Sequence, residues 1–308
     1  MARKDRKLLM CFGGLGRNIM YTSALRFLND PSISVIASYP DAFKGTPCAK
    51  IYDGSKIDKI SNAYDELCEY DPINFDPYSD IKYRQGEEHF VQCILRQGFG
   101  ISISRKLMPN PIVFIDKLDK QKASACLKAA EIGKKFLLLQ TKGGISYYSP
   151  EHSAKTAFQA RHINVSYMAD VARIAKEMGY DVLQFKLPNE ERIAGAKSFK
   201  KVLDHKTWCA IASMASKIIC IDSSLMHMAA GLNKEALVFW GATNKEALGW
   251  DSNINVTRKI TGRWGCVGCG RPNTHFFDRP EWNCRFNFEC GNYTREEIIS
   301  ESKKYLER

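Results

Sequence analysis

Blocks of apolar and polar positions along the chain predict strands and helices in alternation. Residues 7–12 form a short apolar run that meets Gly13-Gly14-Leu15-Gly16, a strand entering a tight turn, and residues 18–28 continue with helical spacing before a second strand at 32–37. The rhythm returns in the second half, with strands at 135–139, 181–185, 218–221 and 236–240 and helices at 164–178, 207–216 and 225–232. Short β-branched runs, each followed by a helix, predict parallel sheets with helices packed on their faces. Asn164 is expected to cap its helix, and Thr294 with Glu297 forms a capping box for a terminal helix over 294–308. Between the halves the pattern weakens. Residues 87–97 and 119–132 read as helices and 112–115 as a strand, while Pro40, Pro47, Pro72 and Pro77 mark the rest as loops and short elements.

At 308 residues the chain is long enough for two domains, and 44% apolar content supports real cores. No stretch approaches the ~20 apolar residues of a membrane span. Residues 8–12 are too short for a secretory signal, so a cytoplasmic location is expected. The formal charge of +11 suits a polyanionic partner such as a nucleotide diphosphate, nucleic acid or anionic head groups. It equally suits a lysine-rich solvated surface, because the basic residues are scattered. Of the eleven cysteines, Cys11, Cys48, Cys68, Cys93, Cys126, Cys209 and Cys220 stand singly in strand-like or helical contexts, as small apolar residues do.

The chain is organised around Asp222-Ser223-Ser224, set between the strand at 218–221 and the helix at 225–232. A strand feeding a helix N-terminus presents free N–H groups and the positive dipole end, a site ready for phosphate. His227 lies one turn into that helix, within reach of a bound anion. The strand at 236–240 closes on Gly241-Ala242-Thr243.

Asp222-Ser223-Ser224-Leu225-Met226-His227 followed by Gly241-Ala242-Thr243 resembles the nucleotide-sugar signature of the ADP-heptose-type heptosyltransferases, glycosyltransferase family nine. The resemblance covers most of the chain and is strongest over 135–250. It implies a GT-B fold, two Rossmann-like domains with a cleft between them: residues 1–130 on the acceptor side and 131–308 for the nucleotide sugar. In that fold the last helix crosses back to the first domain. The family opens with Gly-Asp after the glycine loop, and its aspartate is the general base. Here the pair is Gly16-Arg17, and arginine cannot accept a proton. Arg17 is left to hold an anion or acceptor phosphate, or to lie on the helix surface, and another carboxylate or His89 to act as base. Asp53, Asp65, Asp71, Asp76 and Asp80 are all candidates that sequence does not rank.

By the same register Arg161 stands where the family places a lysine for the phosphates, keeping the charge while changing its geometry. Glu190 takes the place of the ribose-binding glutamate, with Lys206 or Thr207 near the base pocket, and Thr141 and Thr243 are further donor contacts. The implied catalytic set is Arg161, Asp222 and His227. The reaction is an inverting sugar transfer from a nucleotide diphosphate sugar, without a catalytic metal, to a hydroxyl of a glycan, protein or modified DNA. A non-catalytic nucleotide-sugar or nucleic-acid binding module is the alternative.

Cys266, Cys269, Cys284 and Cys290 are spaced C-x2-C-x14-C-x5-C. That spacing suits a closed tetrahedral thiolate site, with zinc the physical default. The cluster, in a finger over 262–292, also resembles the cysteine finger of protein-modifying heptosyltransferases, which makes iron the alternative.

Overall fold

A computed structural model describes residues 6–142, 162–188, 190–241, 243–258 and 291–308. The first half comprises β1 (Lys7–Cys11), α1 (Leu15–Leu28), β2 (Ser34–Ala37), β3 (Ile51–Asp53), α2 (Ile57–Asn62), α3 (Tyr64–Leu67), β4 (Asp71–Ile73), α4 (Ile81–Gln85) and α5 (Phe90–Phe99). Then come α6 (Lys117–Ala129), β5 (Phe136–Leu139), α7 (Val165–Glu177), β6 (Asp181–Gln184), α8 (His205–Met214), β7 (Lys217–Ile221) and α9 (Ser224–Gly231). The chain ends with β8 (Leu237–Trp240), α10 (Lys245–Leu248), β9 (Ile254–Thr257) and α11 (Arg295–Leu306). Two sheets form, ordered β3-β2-β1-β4 and β6-β5-β7-β8-β9, and the strand pairs in both are parallel. The two-sheet α/β architecture expected from the alternating pattern is therefore present.

Strand alternation decides what each face packs against. In the second sheet Leu138, Ile218 and Cys220 turn to one side, and Leu137, Leu139, Ile219 and Ile221 to the other. The first set joins a core that runs without a break through α9 and α1 to Leu9 and Cys11 of the first sheet. The second set is covered by Met168, Val171, Ala172 and Ala175 of α7 and by Ile298, Tyr305 and Leu306 of α11. Both faces are apolar because both are buried. The terminal helix thus packs on the second sheet rather than crossing back to the first, and Tyr305 Oη fixes it there, accepting from Ile218 N–H and donating to the Glu235 carbonyl.

Two further expectations are corrected. Residues 112–115 form no strand; Ile112 N–H donates to Thr22 Oγ1 at 2.8 Å, so this extended segment is tied to α1 by a side chain. Lys206 does not face a base pocket. It is buried against Asp119 at 3.0 Å and locks α6 onto α8, while Thr207 is held by the Asp204 cap. The region of broken pattern contains β3 and β4, three residues each. Pro72 lies within β4, opposite Leu8, which an edge position permits. Cys11, Cys209 and Cys220 are buried among apolar side chains as expected, and burial pushes the Cys209 thiol up to about 12. Cys93 is buried beside Arg96, Cys48 and Cys126 are half-buried, and Cys68 is exposed.

Candidate active site

The site is built where parallel strands end. β7 runs into Asp222 and Ser223, both buried, and Ser223 is the N-cap of α9, its Oγ accepting from Leu225 N–H at 3.3 Å. The same hydroxyl donates to Gln140 Oε1, just past the end of β5, so two neighbouring strand ends are tied together. Ser224 opens α9, and its first turn offers N–H groups and the positive dipole end.

His227 is buried on that first turn, and its Nδ1 accepts from Trp250 Nε1–H at 2.8 Å. An indole nitrogen only donates, so the neutral imidazole carries its proton on Nε2. Nε2 lies toward the first half of the molecule: a Cβ added to Gly16 would sit 3.4 Å from it, 2.9 Å from His227 Cδ2 and 3.4 Å from Ser224 Cα. The glycine at 16 lets α1 and α9 meet N-terminus to N-terminus. Gly13, at φ +115°, makes the turn out of β1, and the Arg17 side chain folds across it.

Arg17 is not a loose surface residue. Its guanidinium lies over the rings of Tyr78, Phe90 and Tyr21 at 5.2, 5.8 and 5.9 Å, and Nη2 donates to Asp76 Oδ1 at 3.1 Å and to Tyr21 Oη at 3.3 Å. His89 is unsuited to act as a base. It is the buried N-cap of α5, with Nδ1 accepting from Val91 N–H, and burial, then the charge of Arg105, hold its pKa well below the ordinary value. Trp250 is wedged between His89 and His227, at ring distances of 4.9 and 6.1 Å.

Glu190 lies just past β6, its carboxylate accepting from Leu187 N–H at 3.0 Å. Burial raises its pKa, against the pull of Leu187 N–H and of the Lys142 and Lys186 charges. Thr141 is buried at the end of β5, and its carbonyl accepts from Ile163 N–H. Thr243 is buried past β8, its hydroxyl without a hydrogen-bond partner among the described residues, and lines a cavity of about 170 Å³ that reaches Gly86 of the first half. Arg161 and the four cysteines Cys266, Cys269, Cys284 and Cys290 lie outside the described residues. Asp80, Glu88 and Cys93 place three potential metal-binding atoms within 4.8 Å of one another, but the Arg96 guanidinium fills the space, bonded to both carboxylates.

The structure therefore gathers Gly16, Arg17, Asp222, Ser223, Ser224 and His227 where α1 meets α9, with Thr141, Glu190 and Thr243 along the same strand ends of the second sheet. In open α/β sheets ligands bind at this edge. Two residues that spacing did not mark out are Trp250 and Arg105. Arg105 donates from the first half to the Glu246 and Gly249 carbonyls at 2.6 and 2.7 Å and to Asp251 at 3.0 Å. Only the tryptophan had a signal, an aromatic residue just past Gly249 in a polar turn.

No family profile and no curated protein matches the chain. Solved structures do. A family 9 glycosyl transferase from Veillonella parvula aligns over 98% of this chain and 97% of its own, with TM-score 0.67 and 12% identity. The chain has the fold of the family-nine glycosyltransferases. The ADP-heptose lps heptosyltransferase II of E. coli shares this GT-B fold at TM-score 0.62 and 14% identity, over 97% of this chain and 98% of the other. The iron-containing dodecameric heptosyltransferase TibC, solved with ADP-D-beta-D-heptose, matches at TM-score 0.65 and 15% identity, over 99% of this chain and 77% of that one. Within the GT-B fold the α1–α9 meeting point lies between the two sheets. No helix among the described residues is long and apolar enough to cross a membrane.

Proposed function

We propose that the protein is a glycosyltransferase that uses a nucleotide diphosphate sugar, ADP-heptose-like, and inverts the transferred carbon. Residues 131–308 would bind the donor and 1–130 the acceptor. The observation that carries this is the meeting of α1 and α9 at Gly16, Ser224 and His227, which puts a helix N-terminus, suited in its free N–H groups to an anion, directly against the first half. The diphosphate would lie on the Asp222-Ser223-Ser224 turn, with Nε2–H of His227 donating to it and Glu190 accepting from the ribose hydroxyls. Arg161 would add a bidentate charge to the departing diphosphate. In the transfer an acceptor oxygen bonds the anomeric carbon, the bond from that carbon to the phosphate oxygen breaks, and its electron pair leaves with the nucleotide.

Cys266, Cys269, Cys284 and Cys290 form, on this view, a structural zinc or iron site of four thiolates. Elemental analysis of native protein tests it: one bound metal, released in Cys269→Ser with a lower Tm, is the expected result, and metal-free native protein overturns it.

Calorimetry with ADP, and with GDP, UDP and CDP beside it, tests the donor site. One nucleoside diphosphate should bind, and both Asp222→Ala and Glu190→Ala should weaken it at least tenfold while leaving the protein folded. Unchanged affinity in both removes the donor assignment. Binding without release of the diphosphate from the matching sugar nucleotide would make the chain a binding module.

A further inference from the structure

Arg17 leaves the proposed transfer without a base on α1, and the structure brings another carboxylate to that place. We propose that Asp76 is the catalytic base, taking the proton of the acceptor hydroxyl, with Arg17 as its positioning residue. This presupposes the glycosyltransferase function proposed above.

Asp76 caps the single turn Pro77–Ser79, and both hydrogen bonds its carboxyl accepts among the described residues end on Oδ1: from Arg17 Nη2 at 3.1 Å and from Tyr78 N–H at 3.3 Å. Its side chain is 56% exposed, against 19% for Arg17. A guanidinium pinned among three aromatic rings thus holds one oxygen of an open carboxylate and leaves Oδ2 for a hydroxyl. Asp76 is the one carboxylate among the described residues that bonds to the Gly13–Gly16 turn or Arg17.

Of the other candidate acids of the first half, Asp65 lies exposed on α3 with no bond to Arg17 or the Gly13–Gly16 turn, and most of the rest are engaged elsewhere. Asp53 pairs with Lys59 and Ser55, Glu66 with Lys50 and Tyr52, and Asp80 and Glu88 with Arg96. Asp71 lies on the exposed edge strand β4, paired in register with Lys7.

The link to the donor turn is Gly16, next to Arg17 on α1: a Cβ added there would lie 2.9 Å from His227 Cδ2 and 3.4 Å from Ser224 Cα. In the step, the acceptor oxygen bonds the anomeric carbon as the phosphate leaves with its electron pair. The proton passes to Asp76 Oδ2, and exposure lets the acid return it to solvent.

Asp76→Asn is the informative variant, since asparagine caps a turn as well as aspartate but takes no proton. The probes are ADP, for affinity, and ADP-heptose with water as acceptor, for diphosphate release. The variant should bind ADP within twofold of wild type and release ADP at least 100-fold more slowly. Sodium azide, a nucleophile with no proton to lose, should restore release and yield the glycosyl azide. Arg17→Lys, which keeps the charge but loses the planar fork, should lose rate and keep ADP affinity. Wild-type rates in Asp76→Asn overturn the assignment, and so does a folded variant that loses activity without azide rescue. If wild type releases diphosphate from none of the ADP-, GDP-, UDP- and CDP-sugars, the glycosyltransferase function itself falls, and Asp76 with it.

Discussion

At the scale of single residues, the imidazole of His227 depends on Trp250 for its proton position. Trp250→Phe keeps a ring between the two histidines and removes the donor to Nδ1. The expected outcome is mixed tautomers at His227, read by 15N NMR, and a tenfold or greater loss of diphosphate release. A single Nε2–H form in the variant would show that something else sets the tautomer. Gly16 is constrained from the other side. Gly16→Ala places a methyl 2.9 Å from His227 Cδ2, and overpacking of this kind costs ~1–3 kcal/mol in denaturant unfolding. Unchanged stability would mean that α1 and α9 separate freely.

Acid sensitivity is also argued residue by residue. Burial pushes the Asp80 carboxyl up, but Arg96, Tyr83 N–H and Gln97 outweigh it and bring the pKa to about 2. His89, buried, is likewise held below its ordinary value. For both groups the unfolded chain binds protons more readily than the folded one, so stability is complete above the unfolded pKa and falls with pH. Tm should begin to drop below about pH 6.5 as His89 would charge on unfolding, and drop again between about pH 4 and 2 through Asp80. Asp80→Asn should shrink the second step, which Asp53, also held at about 2, shares; a second step of unchanged size in that variant would contradict it.

At the scale of elements, α6 and α8 are joined by Lys206 and Asp119, both nearly buried. Lys206→Ala leaves a carboxylate buried without its partner and should cost ~3–5 kcal/mol in urea unfolding, whereas Lys206→Met with Asp119→Leu should recover most of it. A small loss in the single variant would mean water reaches the pair. Neither half of this contact could be read from sequence: Lys206 sits in a polar stretch, and its partner is 87 positions earlier. What was legible had a local cause. Residues 218–232 announce a strand, a cap and a helix through β-branching and serine chemistry, and the structure reproduces them within a residue or two. β3, β4 and β9 were missed because three or four residues, half-exposed and at or near sheet edges, carry too little apolar pattern. The site split the same way. Asp222, Ser223 and His227 share one turn and could be found together, while Arg17 meets Asp76, and His227 meets Trp250, only after the chain folds.

At the scale of the whole molecule, the continuous core and Arg105 hold the two sheets in register. Arg105→Ala removes three hydrogen bonds between the halves and should cost about 2 kcal/mol, with faster proteolysis between them. Arg105→Lys cannot satisfy the same fork of carbonyls and carboxylate and should recover little.

The outer strand of the first sheet has a consequence for association. Asp71 N–H donates inward to the Arg6 carbonyl, so the backbone nitrogen of the next residue points away from the sheet, and that residue is Pro72. A strand from another chain approaching there would find a ring where it needs a donor. The open edge is self-blunting, and copies of this protein at high concentration have no template on that side along which to stack into a ribbon.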